Sequence, residues 1–464
     1  MAQIKKTMFR EYDIRGLVND EEVNDNTAEL IGKGFATFLN RRGVKDIVVG
    51  YDAREYSERI KNALVKGLLN SGVNVTEVGM VISPVLYFAQ YHFNFKGGAM
   101  ITASHNPNGW TGFKLGYDLS TTLLPPDIQE MYEIITADDF ITGNGELKKY
   151  ERINEDYINY ILDRIKLKKK LKVVIDCGNG TAGAIAPEIL KRAGCEVVEK
   201  FCNIDFSFPN HEPNPSLVES QQVLAEAVIA EKADVGFGYD GDGDRIGFCD
   251  EKGQTLFPDQ ALILIARQAL IEKPGAAIVF DVKATQGLIE DVAADGGKPV
   301  MWKTGHSYIK QKSKEVDAAL GGEGSGHMFY RLDYYGYDDA IFSSLKFLEY
   351  LSSQEQTFSE LMKNTPKYVK TPTIHVDCAD EIKYDTVDKL VAELKRDYSD
   401  KVIDINGARV QLDDGWFLVR ASSNLPVLVL GFEAKTQARL EELQKILKGY
   451  LDKYPEIGTD WHSG

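Results

Sequence analysis

Asp46-Ile-Val-Val-Gly-Tyr-Asp52 is a short apolar, β-branched run that ends on a carboxylate, passes through the polar Ala53-Arg54 and leads into helical periodicity from near Ser57. A run of this length with no polar alternation reads as a strand buried on both faces. The same order recurs at Leu171-Lys-Val-Val-Ile-Asp176, followed by Cys177-Gly-Asn-Gly-Thr181 and a helix from near Ala182. It recurs again at Ala276-Ala-Ile-Val-Phe-Asp281, followed by Val282-Lys-Ala-Thr285 and a helix from near Gln286. Three strand-turn-helix units predict repeated α/β domains, and in such domains chemistry gathers where strands end.

The chain from about Thr371 onward has another pattern: a strand at Thr373 to Val376, a helix from Glu381 to Tyr398, short strands, and a final helix from Lys435 to Leu451. That is a smaller α+β domain. At 464 residues the chain exceeds what one hydrophobic core supports. Seams near Glu151, Gln254 to Pro258 and Lys367 to Pro372 divide it into 1–150, 151–255, 256–368 and 369–464, three similar α/β domains plus the C-terminal one.

Composition narrows the class. Hydrophobic residues make up 43% and charged residues 27%, values typical of folded soluble chains, and no run of about 18 apolar residues offers a membrane span. Met1 to Arg10 has lysines but no apolar segment, so no secretory signal is expected and the default location is the cytoplasm. The five cysteines are odd in number, scattered and never in C-x-x-C spacing, which argues for reduced thiols and against a disulfide framework or a zinc site. With 54 Lys+Arg against 70 Asp+Glu, the net charge of −16 repels nucleic acid and acidic membrane surfaces, so no partner of either kind is expected. An anionic substrate then requires a locally basic cleft. The one dense basic run, Lys166 with Lys168, Lys169 and Lys170, follows a helical pattern and reads as favourable charge at a helix C-terminus.

Four segments carry chemistry. Asp240-Gly-Asp-Gly-Asp244-Arg245 follows the strand-like Ala233 to Tyr239, and its alternate carboxylates, separated by glycines, can converge on one hard divalent cation. An EF-hand would need glycine at the sixth place, which holds Arg245, and a helix where Ile246 to Asp250 looks like a strand. Thr102-Ala-Ser-His-Asn-Pro107 presents a serine beside histidine on a turn, as a nucleophile or phosphoryl carrier or as a serine that only caps backbone groups. Gly321-Gly-Glu-Gly-Ser-Gly-His327 lets backbone approach a ligand while Glu323 and Ser325 offer acceptors for sugar hydroxyls; the alternative is a flexible linker. Arg420-Ala-Ser-Ser-Asn-Leu-Pro426 joins two strands and is either a phosphate cradle or a polar hairpin.

Taken together and in this order, the four segments resemble the α-D-phosphohexomutase superfamily, most closely its bacterial phosphomannomutase/phosphoglucomutase branch. Phe9-Arg-Glu-Tyr-Asp-Ile-Arg-Gly16, Asn108-Gly-Trp-Thr-Gly-Phe-Lys114, Asp281-Val-Lys-Ala-Thr285 and Lys303-Thr-Gly-His-Ser-Tyr308 extend the match over nearly the whole chain. The resemblance implies four domains around a central active-site cleft and a phosphohexomutase that interconverts hexose 1-phosphate and hexose 6-phosphate of mannose, glucose or both. It implies Ser104 as phosphoserine, Mg2+ held by Asp240, Asp242 and Asp244 together with the Ser104 phosphate, and a hexose 1,6-bisphosphate as intermediate and activator. Glu323 and Ser325 would contact sugar hydroxyls, and Arg420, Ser422 and Asn424 the phosphate. Tyr12, Arg15, Lys114, Arg245, Lys283, His306 and His327 match further cleft residues; Lys114, His306 and His327 are the candidate bases, with Arg15 and Arg245 supplying charge. The chain departs from the branch in reading Ser423-Asn424-Leu425 in the phosphate loop and in having Gly324 where methionine is common. The rival readings are a phosphoglucosamine mutase, against which Tyr12-Asp-Ile-Arg15 speaks, a phosphatase using Asp240 as nucleophile and Asp242 as acid, and a sugar-phosphate sensor without turnover.

Overall fold

The structure, a computed structural model, describes residues 4–423 and 425–463. The chain forms two compact units, Met1–Ala261 with Ser325–Lys363 and Leu262–Gly324 with Asn364–Gly464.

In the first unit the quoted run is the strand Asp46–Tyr51, flanked in parallel by Asn74–Met80 and Gly97–Ile101. Gly97–Ile101 then turns into the antiparallel strand Trp110–Asp118, so residues 102–109 form the tip of a hairpin at the C-terminal end of a central strand. The helix Asp25–Arg41 starts where Asn24 accepts hydrogen bonds from Asn26 N and Thr27 N in a capping box. It buries Ile31, Phe35 and Phe38 against the sheet. It packs on the helix Ser57–Asn70 at two glycines: a Cβ on Gly32 would lie 2.2 Å from the Leu64 carbonyl oxygen.

The second sheet repeats the plan. Lys172–Asp176 lies in parallel between Glu196–Lys200 and Val235–Tyr239, and Val235–Tyr239 turns into the antiparallel Ile246–Asp250. The acidic loop is that hairpin's tip, the position residues 102–109 hold in the first sheet. The helix expected from near Ala182 begins later: Thr181–Ala184 is a 3-10 turn, and the helix is Ala186–Arg192 with Pro187 in its first turn, where a missing N–H costs nothing.

In the second unit Ala277–Asp281 lies in parallel between Lys298–Trp302 and Leu320–Gly322, the same strand order a third time. The C-terminal domain is an antiparallel sheet built on Ala408–Leu412, Gly415–Ala421, Val427–Ala434 and Ile374–Asp377, covered by the helices Lys383–Tyr398 and Gln437–Leu451. Leu390, Leu394, Phe417, Leu430, Leu443 and Leu447 form its core. This sheet is tied to the turn after Ala277–Asp281: the buried Arg409 guanidinium stacks 4.0 Å from the Trp416 ring and donates to the carbonyls of Val282 (2.9 Å) and Ala284 (2.8 Å). Glu433 accepts from the Trp416 indole at 3.0 Å and from Gln286 N at 2.7 Å. Among the described residues no helix is long and apolar enough to cross a membrane.

Candidate active site

The two hairpin tips of the first unit meet. Ser104 is 1% exposed and sits at φ 52, the left-handed region that costs an L-residue about 1–2 kcal/mol. Its N–H donates to Thr102 Oγ1 at 2.9 Å, and its hydroxyl donates to Asp240 Oδ2 at 2.6 Å. Gly241 allows this approach, since a Cβ there would stand 2.4 Å from the Ser104 carbonyl oxygen. His105 Nδ1 lies 3.3 Å from the same hydroxyl. Burial, then the charges of Arg245 and Arg15, push the His105 imidazole well below its ordinary value, which keeps it neutral.

Asp240, Asp242 and Asp244 are all fully buried, with one oxygen of each within 4.8 Å of the others. Asp240 Oδ1 accepts from the backbone N–H of Asp244 (3.0 Å) and of Arg245 (3.1 Å). Asp242 Oδ2 accepts from Ser83 Oγ at 2.6 Å and from Lys114 Nζ at 2.7 Å, and Lys114 also pairs with Asp244. Asp242 Oδ1 and Asp244 Oδ1 are buried and have no hydrogen-bond partner among the described residues. Anionic oxygens left bare in the interior are costly, and carboxylate oxygens gathered in this way suit a hard divalent cation. The donor set therefore fits a metal of the magnesium type.

Crowding is visible in the acidities. Burial, then Asp244 and Asp242, push the Asp240 carboxyl well above the usual carboxylate range. Burial also acts to raise Asp242, but Lys114 and the Ser83 hydrogen bond outweigh it and hold Asp242 below that range. Burial works against the Lys114 ammonium, yet Asp242 and Asp244 carry its pKa well above the ordinary lysine value. Lys114 thus stands as a cation against Asp242 and Asp244. The β-ladder places it there, since Met100 pairs with Lys114 two residues before the serine loop begins.

Arg15 donates through Nε to Asp13 at 2.7 Å and through a terminal nitrogen to Asn106 Oδ1 at 2.7 Å, which puts its charge on the serine loop; Tyr12 is buried nearby in sequence. Arg245 Nε donates to His327 Nε2 at 3.0 Å, so His327 accepts there and carries its proton on Nδ1, 3.1 Å from Asp338 Oδ2 and 3.6 Å from Asp244 Oδ1. Ser325 is half-buried beside Gly326, whose carbonyl accepts from Ile246 N at 3.1 Å. In the first unit, then, Ser104, Arg15, Lys114, the three aspartates, Arg245 and His327 form one cluster. Ser83 and Asp338 belong to it too and carry no signature in the sequence, each being a single polar residue outside any motif.

In the second unit Asp281 organises the loops. Its buried carboxylate accepts from Thr304 Oγ1 (2.9 Å) and Gly324 N (3.3 Å) and faces Lys283 Nζ at 3.8 Å. Glu323 accepts from Gly305 N at 2.5 Å, beside His306, which opens the helix His306–Glu315 and is buried. Burial lowers Lys283 despite Asp281. Arg420 donates to the Ala421 carbonyl at 3.0 Å, and its Nε has no partner among the described residues. Ser422 Oγ accepts from Leu425 N at 3.2 Å; Asn424 lies outside the described residues. Burial, His462, and the charges of Lys283 and Arg420 push His375 down to about 4. The field around Lys283 and Arg420 is thus positive, as binding an anion requires.

A serine hydroxyl held against a cation-binding carboxylate triad, on α/β domains of repeated order, defines a multidomain phosphotransferase. Family models bear this out. The α/β/α domains I, II and III of phosphoglucomutase/phosphomannomutase match residues 6–142, 155–253 and 257–368, and the C-terminal domain of that family matches residues 374–448. The chain belongs to this family of phosphohexomutases. It is 40% identical over 451 residues to a phosphomannomutase/phosphoglucomutase of Pseudomonas putida, covering 97% of this chain and 96% of that protein. It is 38% identical over 461 residues to a phosphoglucomutase of Neisseria meningitidis, covering 98% and 99%. A crystal structure of a phosphoglucomutase/phosphomannomutase family protein from Burkholderia thailandensis superposes with a TM-score of 0.91 at 38% identity, covering 97% and 98%.

Proposed function

We propose that this enzyme interconverts the 1- and 6-phosphates of mannose and glucose in the cytoplasm, carrying the phosphoryl group on Ser104 and passing through a hexose 1,6-bisphosphate. The observation that carries the reading is the 2.6 Å hydrogen bond from Ser104 to Asp240 at the mouth of the carboxylate triad. Asp240, Asp242 and Asp244, with the phosphate on Ser104, would hold Mg2+, which when bound supplies charge neutralisation for phosphoryl transfer.

The chain's own groups do the rest. The serine loop and the acidic loop hold the Ser104 oxygen against Asp240, and Lys114, Arg15 and Arg245 supply fixed positive charge in the same cluster, so little reorganisation accompanies transfer. Arg420 and Ser422, with Asn424 on the same loop, read the non-transferring phosphate, helped by Lys283. Glu323 and Ser325 accept hydrogen bonds from sugar hydroxyls shared by glucose and mannose, which leaves C2 unread. Lys114, His306 and His327 are the candidates for accepting the proton of the attacking hydroxyl, His327 once its Nε2 is released by Arg245. Each of the four stretches 1–150, 151–255, 256–368 and 369–464 contributes one loop. The relatives named as mutases speak for serine as the carrier and against the phosphatase reading.

Phosphorus NMR tests this. With magnesium and a trace of glucose 1,6-bisphosphate, glucose 1-phosphate and mannose 1-phosphate should convert to their 6-phosphates faster than glucosamine 1-phosphate. A preference for the amino sugar would move the enzyme to the glucosamine branch, and release of inorganic phosphate would restore the phosphatase.

A further inference from the structure

The turn that follows the strand Asp46–Tyr51, Asp52-Ala-Arg54, has no part in the chemistry above, yet it lies directly under the serine loop. Arg54 is buried, at 5% exposure. One terminal nitrogen donates to the carbonyls of Ser104 (3.0 Å) and Asn106 (2.6 Å), and the other donates to the carbonyl of Pro107 (3.0 Å). Nε faces Asp52 Oδ2 at 3.3 Å, and the Phe208 ring lies 5.1 Å from the guanidinium carbon. Asp52 is itself fixed, accepting from Ser57 Oγ at 2.5 Å and from Arg54 N at 3.2 Å. Ala53 N donates to Thr181 Oγ1 at 2.9 Å, and Thr181 N donates to the carbonyl of Gly241 at 2.8 Å, which links this turn to the acidic loop as well.

Three carbonyls of one short loop spread over both terminal nitrogens of one guanidinium is an arrangement that suits arginine better than lysine. Its planar fork offers five N–H donors at fixed angles, whereas an ammonium is a point donor. Ser104 stands in the left-handed region, and a strained non-glycine residue persists only where its surroundings over-determine it. Here the Ser104 N–H is held from one side by Thr102 and its carbonyl from the other by Arg54. Releasing the carbonyl lets the residue relax towards ordinary backbone, and the hydroxyl turns away from Asp240.

We infer that Arg54 is a positioning residue for phosphoryl transfer, a clamp that holds the Ser104 loop in its strained form through three backbone carbonyls so that the hydroxyl stays aimed at the metal-binding loop. The inference rests on Ser104 being the phosphoryl carrier. It predicts a defect in the transfer step and not in sugar-phosphate binding, which other loops perform.

The test compares Arg54→Lys and Arg54→Ala with Ser104→Ala as control, measuring kcat and KM for glucose 1-phosphate and, by intact mass, the single-turnover rate at which glucose 1,6-bisphosphate phosphorylates the protein. Arg54→Lys should lose about 10- to 100-fold in kcat and in phosphorylation rate, as expected for a sub-ångström to 1 Å misplacement, with KM within about twofold. Arg54→Ala should lose more and recover part of its rate when guanidinium ion, but not ammonium ion at the same concentration, is added. If Arg54→Ala does not fold by circular dichroism, Arg54→Lys, which keeps the charge against Asp52, decides alone. Wild-type kcat in Arg54→Lys, or a loss that appears only in KM, overturns the clamp. An active Ser104→Ala would instead overturn the carrier assignment, whatever the Arg54 variants do.

Discussion

Two hairpin loops of this enzyme make an instructive pair. Residues 240–245 join Val235–Tyr239 to Ile246–Asp250, and residues 422–426 join Gly415–Ala421 to Val427–Ala434. The first is sunk in protein: its three carboxylates are fully buried, and Ser83, Ser104, Lys114 and two backbone N–H groups take up their oxygens save Asp242 Oδ1 and Asp244 Oδ1. The second is nearer the surface: Leu425 is 45% exposed, its carbonyl accepts from Lys383 at 2.9 Å and its N–H donates to Ser422, and Arg420 Nε has no partner among the described residues. One loop buries its charged groups against fixed partners, and the other, in the function proposed above, would grip the substrate phosphate through Arg420. Groups that stabilise developing charge gain from being fixed in advance, whereas groups that must grip either end of a bisphosphate gain from being left open.

The largest effect should come from the organised side. Ser104→Ala should lower mutase turnover by about four orders of magnitude or more in a coupled assay, with the fold intact by circular dichroism. Residual activity near wild type would mean the phosphoryl group travels elsewhere.

Next, Asp240→Asn should cut activity about 100- to 1,000-fold and weaken the magnesium dependence. It should also raise the melting temperature of the metal-free protein, because it removes a carboxylate that burial, and then the charges of Asp244 and Asp242, push well above the carboxylate range. A variant that is both inactive and less stable would show that the triad is not strained in the absence of cation.

On the open side, Arg420→Ala should act mainly through KM, raising it about 10- to 100-fold for each sugar phosphate, the worth of one or two charge-assisted hydrogen bonds. A loss confined to kcat would place Arg420 with the organised loop and erase the contrast.

The smallest effect concerns burial without a metal role. Asp339 is buried, and burial pushes its carboxyl up to about 6, even though Phe342 N, Tyr334 and Tyr157 hydrogen-bond to it. The ordinary value is 3.8, so the folded state holds the proton more tightly than the unfolded state. The resulting contribution to stability is complete below about pH 4 and is lost as pH rises through about 6, at most about 3 kcal/mol. Asp339→Asn should flatten the pH dependence of thermal stability across that window while leaving activity nearly unchanged. An unaltered profile would show that the Tyr157 and Tyr334 hydrogen bonds already cancel the burial cost.

Much of the fold is legible locally. The runs at 46–52, 171–176 and 276–281 are strands because an apolar stretch too short for a helix has nowhere to go but the middle of a sheet, and the helices beginning at Ser57 and Gln286 start where the periodicity changes. The start near Ala182 is less legible: Gly183 packs where a Cβ would lie 2.1 Å from the Cys202 carbonyl, and the chain completes a 3-10 turn before the helix can form. Cys177 and Cys202 look scattered in sequence, yet the parallel strands ahead of them bring their sulfurs to 3.0 Å, both as free thiols.

The sequence by itself determined the repeated α/β order, the acidic and serine motifs, and the family they belong to, because alternation, apolar runs and carboxylate spacing are properties of neighbouring residues. Only the tertiary structure decided that Ser83 and Lys114 share Asp242, that Asp338 backs His327, that Asp281 ties Thr304 to Gly324 and that Arg54 holds the serine loop from beneath. The reason is physical. A lone buried charge is costly wherever it sits, and the partner that makes it tolerable is chosen by how the sheets bring distant residues together, a distance that no local pattern records.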